Sequence, residues 1–251
     1  MRIFDGKVAL VTGGGTGIGR ATAIMFALKG ASVMVADFKE PEGESTIKEI
    51  KKAGNEAYFV QADVRMAAQV QNMVKNTVDR YGRLDFAFNN AGVSAPFPAR
   101  LAEESDEIFD AIIDINLKGV RLCMKHEIAA MVKQGGGVII NNSSIGGVSP
   151  VVFGASYSAA KHGVIGMTNS AVYEYAADNI RMVSVCPGWV DTAMMKGLSE
   201  DPVISQLMLA SIPAQRPGKP EEIAELVTWL ASDAAAYING GAFPICGAVN
   251  L

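Results

Sequence analysis

The sequence predicts an α/β fold in which one parallel sheet is covered by helices on both faces. Short runs of β-branched and aliphatic residues alternate with helical segments, with no linker, repeat or low-complexity tract between them. Such alternation is typical of right-handed strand–helix–strand crossovers. The chain has 251 residues and a hydrophobic fraction of 49%, which suits one compact domain with a large core. We therefore expect residues 1–251 to form a single domain.

Composition argues against several classes of function. The formal net charge is −4 and Lys and Arg are not clustered, so nucleic acid is not an expected partner. No apolar stretch approaches the ~20 residues that span a bilayer, so we expect a soluble, cytoplasmic protein without a membrane partner. Cys123, Cys186 and Cys246 are far apart in apolar sequence, and His126 and His162 lack the spacing of metal ligands. We expect neither a disulfide framework nor a metal site.

The first motif is a glycine-rich turn between a strand and a helix. A strand over Lys7–Thr12 leads into Gly13-Gly14-Gly15-Thr16-Gly17-Ile18-Gly19, and a helical pattern follows over Arg20–Leu28. A turn of this kind leaves backbone N–H groups facing a pyrophosphate, and a Cβ there would hold the phosphates away. Glycines also serve ordinary tight turns, so this motif alone leaves both interpretations open.

Asp37 is the candidate ribose-binding acid. It ends the second strand, Ser32–Ala36, and lies 24 residues past Gly13, near the ~20 expected for a carboxylate that binds the adenosine ribose. The alternative is a helix-capping residue before Pro41. A ribose-binding carboxylate would face the additional phosphate of NADP directly, so we predict a preference for NAD.

A short polar turn follows the fourth strand. The pattern predicts helices over Pro41–Ala53 and Ala67–Tyr81 and strands over Ala57–Gln61 and Leu84–Phe88. Asn89-Asn90-Ala91-Gly92 then comes at the carboxyl edge of the sheet, where open α/β sheets bind ligands. Its small residues would permit close approach of a cofactor, but the two asparagines could equally be buried turn residues that hold strands together.

Tyr157 and Lys161 form the candidate catalytic pair. They are four residues apart in a helical segment, so their side chains share one face. A free phenol titrates near ~10, and an ammonium about 4 Å away could lower that pKa enough for proton exchange at neutral pH. Ser144 lies 13 residues upstream, where the strand containing Val138–Ile140 should end, and could offer a hydroxyl to the same substrate oxygen. The alternative is an amphipathic helix whose Tyr covers the core and whose Lys reaches into water.

Taken together, these motifs resemble those of the short-chain dehydrogenases/reductases over nearly the whole chain. The matching residues are Thr12-Gly13-x-x-x-Gly17-x-Gly19, Asn89-Asn90-Ala91-Gly92, Asn116, Ser144 with Tyr157-x-x-x-Lys161, and Pro187-Gly188-x-x-x-Thr192. Arg216–Ala224 also looks like the start of that family's late helix. The resemblance implies a Rossmann-like, doubly wound parallel sheet of about seven strands. It further implies a nicotinamide-dependent oxidoreductase that is usually a homotetramer.

The resemblance also implies a role for each matching residue. Tyr157 would be the general acid/base, Lys161 would lower its pKa and bind the nicotinamide ribose, and Ser144 would orient the substrate oxygen. Asn116 would hold a proton-relay water, although an Asn in that helix could also mark a kink. The NAD-binding residues would be Gly13, Thr16, Gly17, Ile18, Gly19, Asp37, Asp63, Val64, Asn90, Ala91, Gly92, Tyr157, Lys161, Pro187, Gly188, Val190 and Thr192.

Cofactor choice depends on the cations near the ribose. Members of the family that prefer NADP usually have Arg or Lys at the positions of Thr16 and Phe38, and neither of these residues can pair with a phosphate. Lys39 and Arg20 could swing toward the ribose and offset part of the repulsion from Asp37. We therefore predict preference for NAD rather than exclusion of NADP.

Some positions depart from the family pattern. Asn142 and Ser184 replace the usual residues at places not expected to carry the chemistry. Ile245–Ala248 replaces the usual Val-Asp-Gly-Gly, so tetramer assembly is less secure than catalysis. We expect at least a dimer, paired through the helical segments Leu117–Val132 and Ala155–Ala177.

The substrate is predicted only as a class. A loop at about 190–212, the segment Val151–Phe153, and Phe97 are apolar, which implies a largely apolar alcohol or ketone, unless they are buried between subunits. Sterols, cyclic ketones, acyl thioesters, sugars and terpenoid alcohols all remain open. A catalytically silent dinucleotide-binding sensor or scaffold is the alternative on the same fold. Retention of Ser144, Tyr157 and Lys161 together favours an enzyme.

Overall fold

Seven parallel strands form one open sheet in the computed structural model, which describes residues 2–94, 99–193, 195 and 202–249. The strand order is β3-β2-β1-β4-β5-β6-β7, and every neighbouring pair is parallel. This confirms the predicted α/β fold. The strands are β1 (Val8–Thr12), β2 (Ser32–Asp37), β3 (Ala57–Gln61), β4 (Phe86–Asn89), β5 (Gly137–Asn142), β6 (Ile180–Pro187) and β7 (Ala242–Ile245).

Helices connect the strands and cover the sheet. The α-helices are α1 (Gly17–Leu28), α2 (Glu40–Lys52), α3 (Ala67–Tyr81), α4 (Asp106–Ile113), α5 (Val120–Gln134), α6 (Ala155–Tyr175), α7 (Pro202–Ser211) and α8 (Pro220–Ala231). Within the described ranges, none of these helices is long and apolar enough to cross a membrane. In the same ranges, no three His, Cys, Asp or Glu side chains come together as metal ligands would.

Two apolar layers hold the helices against the sheet. Successive strand residues point to opposite faces, so the strand sequences are apolar on both faces. On one face, Val11 and Val35 pack with Phe26 of α1 and Ile47 of α2, and α8 closes the same layer. The opposite layer joins alternate strand residues to α3, α5 and α6; among its members are Leu10, Met34, Ala87, Ile139, Met73, Cys123, Met124 and Val164.

A π-helical stretch precedes α5 without interruption. Residues Asp114–Gly119 form this wider turn, and Asn116 lies buried within it. The predicted helix over Leu117–Val132 is therefore regular only from Val120 onward. Single π-turns are frequent at functional sites because the additional residue re-aims the side chains around it.

The sheet has its switch point between β1 and β4. The order runs outward from β1 through β2 and β3 on one side and through β4 and β5 on the other. Crossovers on the two sides leave in opposite directions, which opens a crevice at the carboxyl ends of these strands. The residues at that edge include Thr12, Asn89 and Asn142.

Candidate active site

A cavity of about 550 Å³ occupies this crevice. It extends along the carboxyl edge from Asp37 and Asp63 to Ser144, Tyr157 and Lys161. Of the site residues predicted from the sequence, all but Gly19 and Asn116 line it; the others on its wall are Gly13, Thr16, Gly17, Ile18, Val64, Asn90, Ala91, Gly92, Pro187, Gly188, Val190 and Thr192. A long cleft with carboxylates at one end and polar catalytic groups at the other fits a dinucleotide.

The glycine-rich turn is shaped by its own packing as well as by any ligand. Gly13 and Gly17 have φ values of +60° and +52°, a region that glycine adopts without strain. A Cβ on Gly13 would lie 2.9 Å from Cα of Ala91, and one on Gly19 would lie 2.1 Å from the carbonyl oxygen of Gly13. At these two positions, glycine is required because the backbone packs against itself and the turn after β4. This packing agrees with the tight-turn interpretation that the sequence left open beside phosphate binding.

Asp37 lies at the end of β2 with both carboxylate oxygens accepting backbone hydrogen bonds. Oδ2 accepts from the N–H of Gly15 at 2.9 Å, and Oδ1 accepts from the N–H of Lys39 at 2.9 Å. Helix α2 begins at Glu40 without a side-chain cap, so the helix-capping alternative is wrong. These bonds fix the carboxylate on the wall of the cavity.

The two cations that could offset the negative charge of Asp37, Arg20 and Lys39, both have other acidic partners. Arg20 pairs with Glu49 of α2, and Lys39 lies 3.7 Å from Glu42 with two thirds of its side chain exposed. Surface pairs of this kind are weak and can rearrange. The wall near the ribose position therefore carries a fixed negative charge and only a loosely held positive one.

Asp63 and Arg65 form a close ion pair at the other side of this end. The Arg65 Nη2 donates to Asp63 Oδ2 at 2.6 Å, and this hydrogen bond lowers the pKa of Asp63. Arg65 also lines the cavity, which the sequence analysis missed because nothing in the family motif marks that position. The carboxylate of Asp63 is thus already hydrogen-bonded to a side chain of the protein.

The two asparagines after β4 have different surroundings. Asn89 is buried, and its Nδ2 donates to Oδ1 of Asn141 at 2.9 Å, which ties β4 to β5. Asn90 lines the cavity, while its Nδ2 donates to the carbonyl oxygens of Thr12 and Gly13 at 3.1 Å. The strand-holding interpretation is therefore correct for Asn89, and Asn90 both holds the glycine-rich turn and faces the cleft.

Tyr157 and Ser144 meet at the opposite end of the cleft. Tyr157 lies in the first turn of α6, and Ser144 directly precedes a short 3₁₀ turn after β5, with its Oγ accepting from the N–H of Gly146 at 3.0 Å. Burial raises the pKa of Tyr157, whereas its hydrogen bond with Ser144 lowers it. The phenol and the hydroxyl can therefore act on one substrate oxygen.

Lys161 is buried beside them. Its Nζ donates to the carbonyl oxygen of Asn142 at 2.8 Å and lies 5.6 Å from the centroid of the Tyr157 ring. Burial lowers the pKa of Lys161 to about 8. The pKa of Tyr157 responds to burial and to Ser144, and its lowering by Lys161 stays a prediction.

Asn142, which was not expected to contribute, borders the site in two ways. Besides the carbonyl that accepts from Lys161, its side-chain Nδ2 donates to Oδ1 of Asn90 at 2.9 Å. It also lines the cavity. The one sequence signal was its polar side chain at the end of an apolar strand.

Asn116 is hydrogen-bonded to the turn after β4. Its Oδ1 accepts from the N–H of Val93 at 2.8 Å, and its Nδ2 donates to the carbonyl oxygen of Val93 at 2.7 Å. The side-chain amide is thus occupied by one backbone residue, and the Asn116 position coincides with the π-helical stretch. Its relay role stays a prediction.

Apolar residues flank the catalytic end. Val151 approaches Gly146, where a Cβ would lie 2.6 Å from Val151 Cγ2, and Val152 and Phe153 are exposed. Ala193 and Met195 line the cavity beyond Thr192. Met194, residues 196–201 of the predicted substrate loop and residues 95–98, which include Phe97, lie outside the described residues.

Known proteins resemble this chain over nearly all of its length. The family model described as enoyl-(acyl carrier protein) reductase matches residues 13–250. Cyclohexanol dehydrogenase of Acinetobacter sp. (strain SE19) is 37% identical over 245 residues, covering 98% of this chain and 95% of that protein. The 3-oxoacyl-(acyl-carrier-protein) reductase of Thermotoga maritima is 37% identical over 244 residues, covering 97% and 98%. The crystal structure of levodione reductase superposes with a TM-score of 0.94 at 34% identity, covering 97% of both chains.

Proposed function

Because this chain belongs to the short-chain dehydrogenase/reductase family, we propose that it is an NAD(H)-dependent oxidoreductase that interconverts a secondary alcohol and a ketone. The observation that carries the proposal is one cleft with Ser144, Tyr157 and Lys161 at one end and Asp37 at the other. We propose that residues 1–251 act as a single domain. The cytoplasmic location and the homo-oligomer stay predictions from the sequence.

Tyr157 is proposed as the general acid/base. Burial keeps the phenol protonated, which suits proton donation to a carbonyl oxygen during reduction. In oxidation the same oxygen takes the alcohol proton, and the hydrogen bond from Ser144 favours the phenolate that this step needs. The nicotinamide, when bound, supplies or accepts the hydride. Lys161, buried beside the ring, is proposed to stabilise the phenolate and to bind the nicotinamide ribose.

Asp37 is proposed to select NAD. Its two oxygens are held by the N–H groups of Gly15 and Lys39, so the charge cannot easily turn away from a phosphate on the ribose. Thr16 and Phe38, on the same wall, offer no cation. A fixed like charge discriminates against the phosphorylated cofactor by repulsion.

The substrate is proposed to be a largely apolar ring alcohol or ketone. Val151 beside Gly146 and Met195 near Thr192 support an apolar surround for the reacting carbon. Two similar proteins are named for ring compounds, cyclohexanol dehydrogenase and levodione reductase. An acyl thioester is the competing class, since another relative is named an acyl-carrier-protein reductase.

The test is turnover followed by the absorbance of the nicotinamide. Cyclohexanol, cyclohexanone, levodione and an acetoacetyl thioester are assayed with NAD(H) and NADP(H). We expect turnover of a ring compound with NAD(H), loss of turnover in Tyr157→Phe, and full turnover in Tyr173→Phe, an exposed tyrosine of the same helix. Inertness toward all substrates would favour a silent dinucleotide-binding protein instead.

A further inference from the structure

Glu127 is a carboxyl group completely buried beneath the sheet. It lies in the middle of α5 with 0% of its surface exposed. Its Oε2 accepts a hydrogen bond from Nδ2 of Asn89 at 2.9 Å, whereas its Oε1 has no hydrogen-bond partner among the described residues. A buried ionised carboxylate needs a cation or several donors, and only one donor is present here.

The amide and hydroxyl donors in the hydrogen-bond network around Glu127 are all in use. The Asn89 amide gives its second hydrogen to Oδ1 of Asn141. Asn141 donates to Oγ1 of Thr168 at 2.8 Å and approaches Sδ of Met124 at 3.3 Å. Thr168 in turn donates to the carbonyl oxygen of Val164. Since an amide has two N–H donors and a hydroxyl one, these groups leave none for the second oxygen of Glu127, and the nearby Cys123 thiol carries only a weak S–H donor.

The atoms left over are both acceptors. Besides Oε1 of Glu127, Oδ1 of Asn89 is buried and unpaired within the described part of the chain. Rotating either side chain would not pair these two oxygens, because a rotation adds no hydrogen-bond donor. A proton on Glu127 is the change that adds a donor, because a protonated carboxyl has one O–H.

The groups that face this network add no compensating positive charge. Burial raises the pKa of Glu127 to about 7, and the hydrogen bond from Asn89 lowers it less. On α5 itself, the Cys123 thiol is near enough for Glu127 to raise its pKa further. From α3, this core layer contains Val70 and Met73, and from β4, β5 and α6 it receives two amides and a hydroxyl. The ammonium of Lys161 on α6 is directed at the Asn142 carbonyl.

We propose that Glu127 is a positioning residue that acts as a neutral carboxylic acid, its proton completing the network that holds the ends of β4 and β5 beneath the active site. The proposal rests on the oxidoreductase function proposed above. Asn89 and Asn141 are register partners on neighbouring strands. The next residues along each strand, Asn90 and Asn142, are themselves hydrogen-bonded in the cleft.

A shift in this network would reach Lys161 directly. The carbonyl oxygen that accepts from Lys161 belongs to Asn142, one residue past Asn141. Thr168, which receives the hydrogen bond from Asn141, lies on the same helix as Lys161, about two turns later. The network therefore holds the Lys161 ammonium in two ways. It positions the strand end that carries the accepting carbonyl, and it contacts the helix that carries Lys161.

The test compares two replacements of Glu127. Glu127→Gln places one donor and one acceptor where the neutral acid has them, and it cannot ionise. Glu127→Leu leaves the Asn89 amide without its acceptor. Glu174→Gln, an exposed change on α6, controls for the loss of a negative charge. The melting temperature is measured from pH 5 to pH 9 on the cofactor-free protein, and kcat and the NAD KM are measured at pH 8.

The expected results follow from ionisation of Glu127 on rising pH. The folded-state pKa of Glu127 lies above the unfolded value. The stability that this group contributes is therefore present at low pH and is lost as pH rises through about 7. Glu127→Gln should match wild type at pH 5 and exceed its Tm by about 4 °C or more at pH 8. Its kcat should equal or exceed the wild-type value. Glu127→Leu should lose about tenfold or more in kcat, and it should also raise the NAD KM, because Lys161 is proposed to serve both the phenol and the nicotinamide ribose.

Two results would overturn the proposal. One is a Glu127→Gln protein as impaired in kcat as Glu127→Leu, since an ionised carboxylate would then be required. The other is a Tm difference between Glu127→Gln and wild type that does not grow with pH. If the variants fail to fold, infrared spectroscopy of the wild type decides: a protonated carboxyl C=O band at pH 6 that vanishes by pH 9 supports the proposal, and its absence at pH 6 rejects it. The Tm and infrared readouts need no turnover, so they are independent of the proposed reaction.

Discussion

The Nζ of Lys161 donates to the carbonyl oxygen of Asn142 at 2.8 Å. The ammonium is therefore anchored to the end of β5, and it lies 5.6 Å from the Tyr157 ring centroid. A cation fixed at a strand end is held by the sheet rather than by a flexible loop. The proposed roles of Tyr157 and Lys161 can be tested separately because the two side chains have different anchors.

Tyr157→Phe is expected to remove turnover while it leaves NAD affinity within a few-fold. The substitution deletes the proton donor and keeps the ring, and a positioned acid/base contributes about 10² to 10⁴ in rate. Steady-state kcat with NAD and a ring alcohol, together with a fluorescence titration of NADH, measures both quantities. A variant with near wild-type kcat would reject Tyr157 as the acid/base.

Lys161→Met is expected to raise stability while it lowers both kcat and NAD affinity. The folded-state pKa is lowered from 10.5 to about 8, so the unfolded chain binds the proton more tightly. Stability from this group therefore rises between about pH 8 and pH 10.5, and at pH 7 the buried ammonium costs about 3 kcal/mol.

Met keeps the apolar stem of Lys161 and loses the hydrogen bond to Asn142. Allowing for that bond, we expect the free energy of unfolding of the cofactor-free protein to rise by about 1 to 2 kcal/mol at pH 7. Urea unfolding at pH 7 and pH 10 checks this, and the gain should shrink at the higher pH. An effect confined to kcat, with NAD binding unchanged, would remove the proposed ribose contact.

Asp37→Asn is expected to weaken the preference for NAD. A close like-charge contact costs several kcal/mol, and each 1.4 kcal/mol is about tenfold, so we expect wild type to discriminate by roughly a hundredfold or more. Asn keeps the shape and removes the charge, which should lower the ratio of kcat/KM for NAD over NADP by about tenfold or more. Asp191→Asn, at an exposed position outside the cleft lining, should leave that ratio unchanged. Equal values for both cofactors in the wild type would show that Asp37 does not lie at the ribose.

Ala248→Gly is expected to stabilise the protein by about 0.5 to 1 kcal/mol. Ala248 has a φ of +70°, in the left-handed region that costs free energy for a residue with a Cβ, and it stands where the family usually has glycine. Ala236→Gly, at a φ of −57°, is the matched control and should destabilise by a similar amount. Equal losses from both substitutions, measured by chemical denaturation, would mean that the backbone at Ala248 is not strained.

Gly166→Leu is expected to weaken self-association. A Cβ on Gly166 would meet nothing within 4 Å inside the chain, whereas one on Gly163 would lie 2.9 Å from Cδ1 of Leu117. The helix-packing reason for Gly163 is therefore internal, and Gly166 is the position left for a second copy. Light scattering should give the wild type at least twice the monomer mass of 26.5 kDa and the variant a lower average mass. A monomeric wild type at micromolar concentration would contradict the predicted dimer.

Much of the fold follows from local sequence patterns. Ala57–Gln61 and Ala67–Tyr81 were predicted with the bounds that the structure has, because a short aliphatic run and a 3.6-residue periodicity need no distant partner to be recognised. The first helix instead begins at Gly17 rather than Arg20. There, the positive φ of Gly17 starts the helix inside the turn. A hydropathy pattern does not predict backbone angles, so it could not place this start.

The sequence by itself determined the residue types of the site and their order along the chain, since the motifs containing Asp37, Ser144, Tyr157 and Lys161 are short and local. Tertiary structure alone decided which groups meet. It directed Lys161 to the Asn142 carbonyl, paired Asp63 with Arg65, and buried Glu127 against Asn89, 38 positions away. The physical reason is that burial and hydrogen bonding depend on which strands become neighbours, and parallel crossovers bring together residues far apart in sequence.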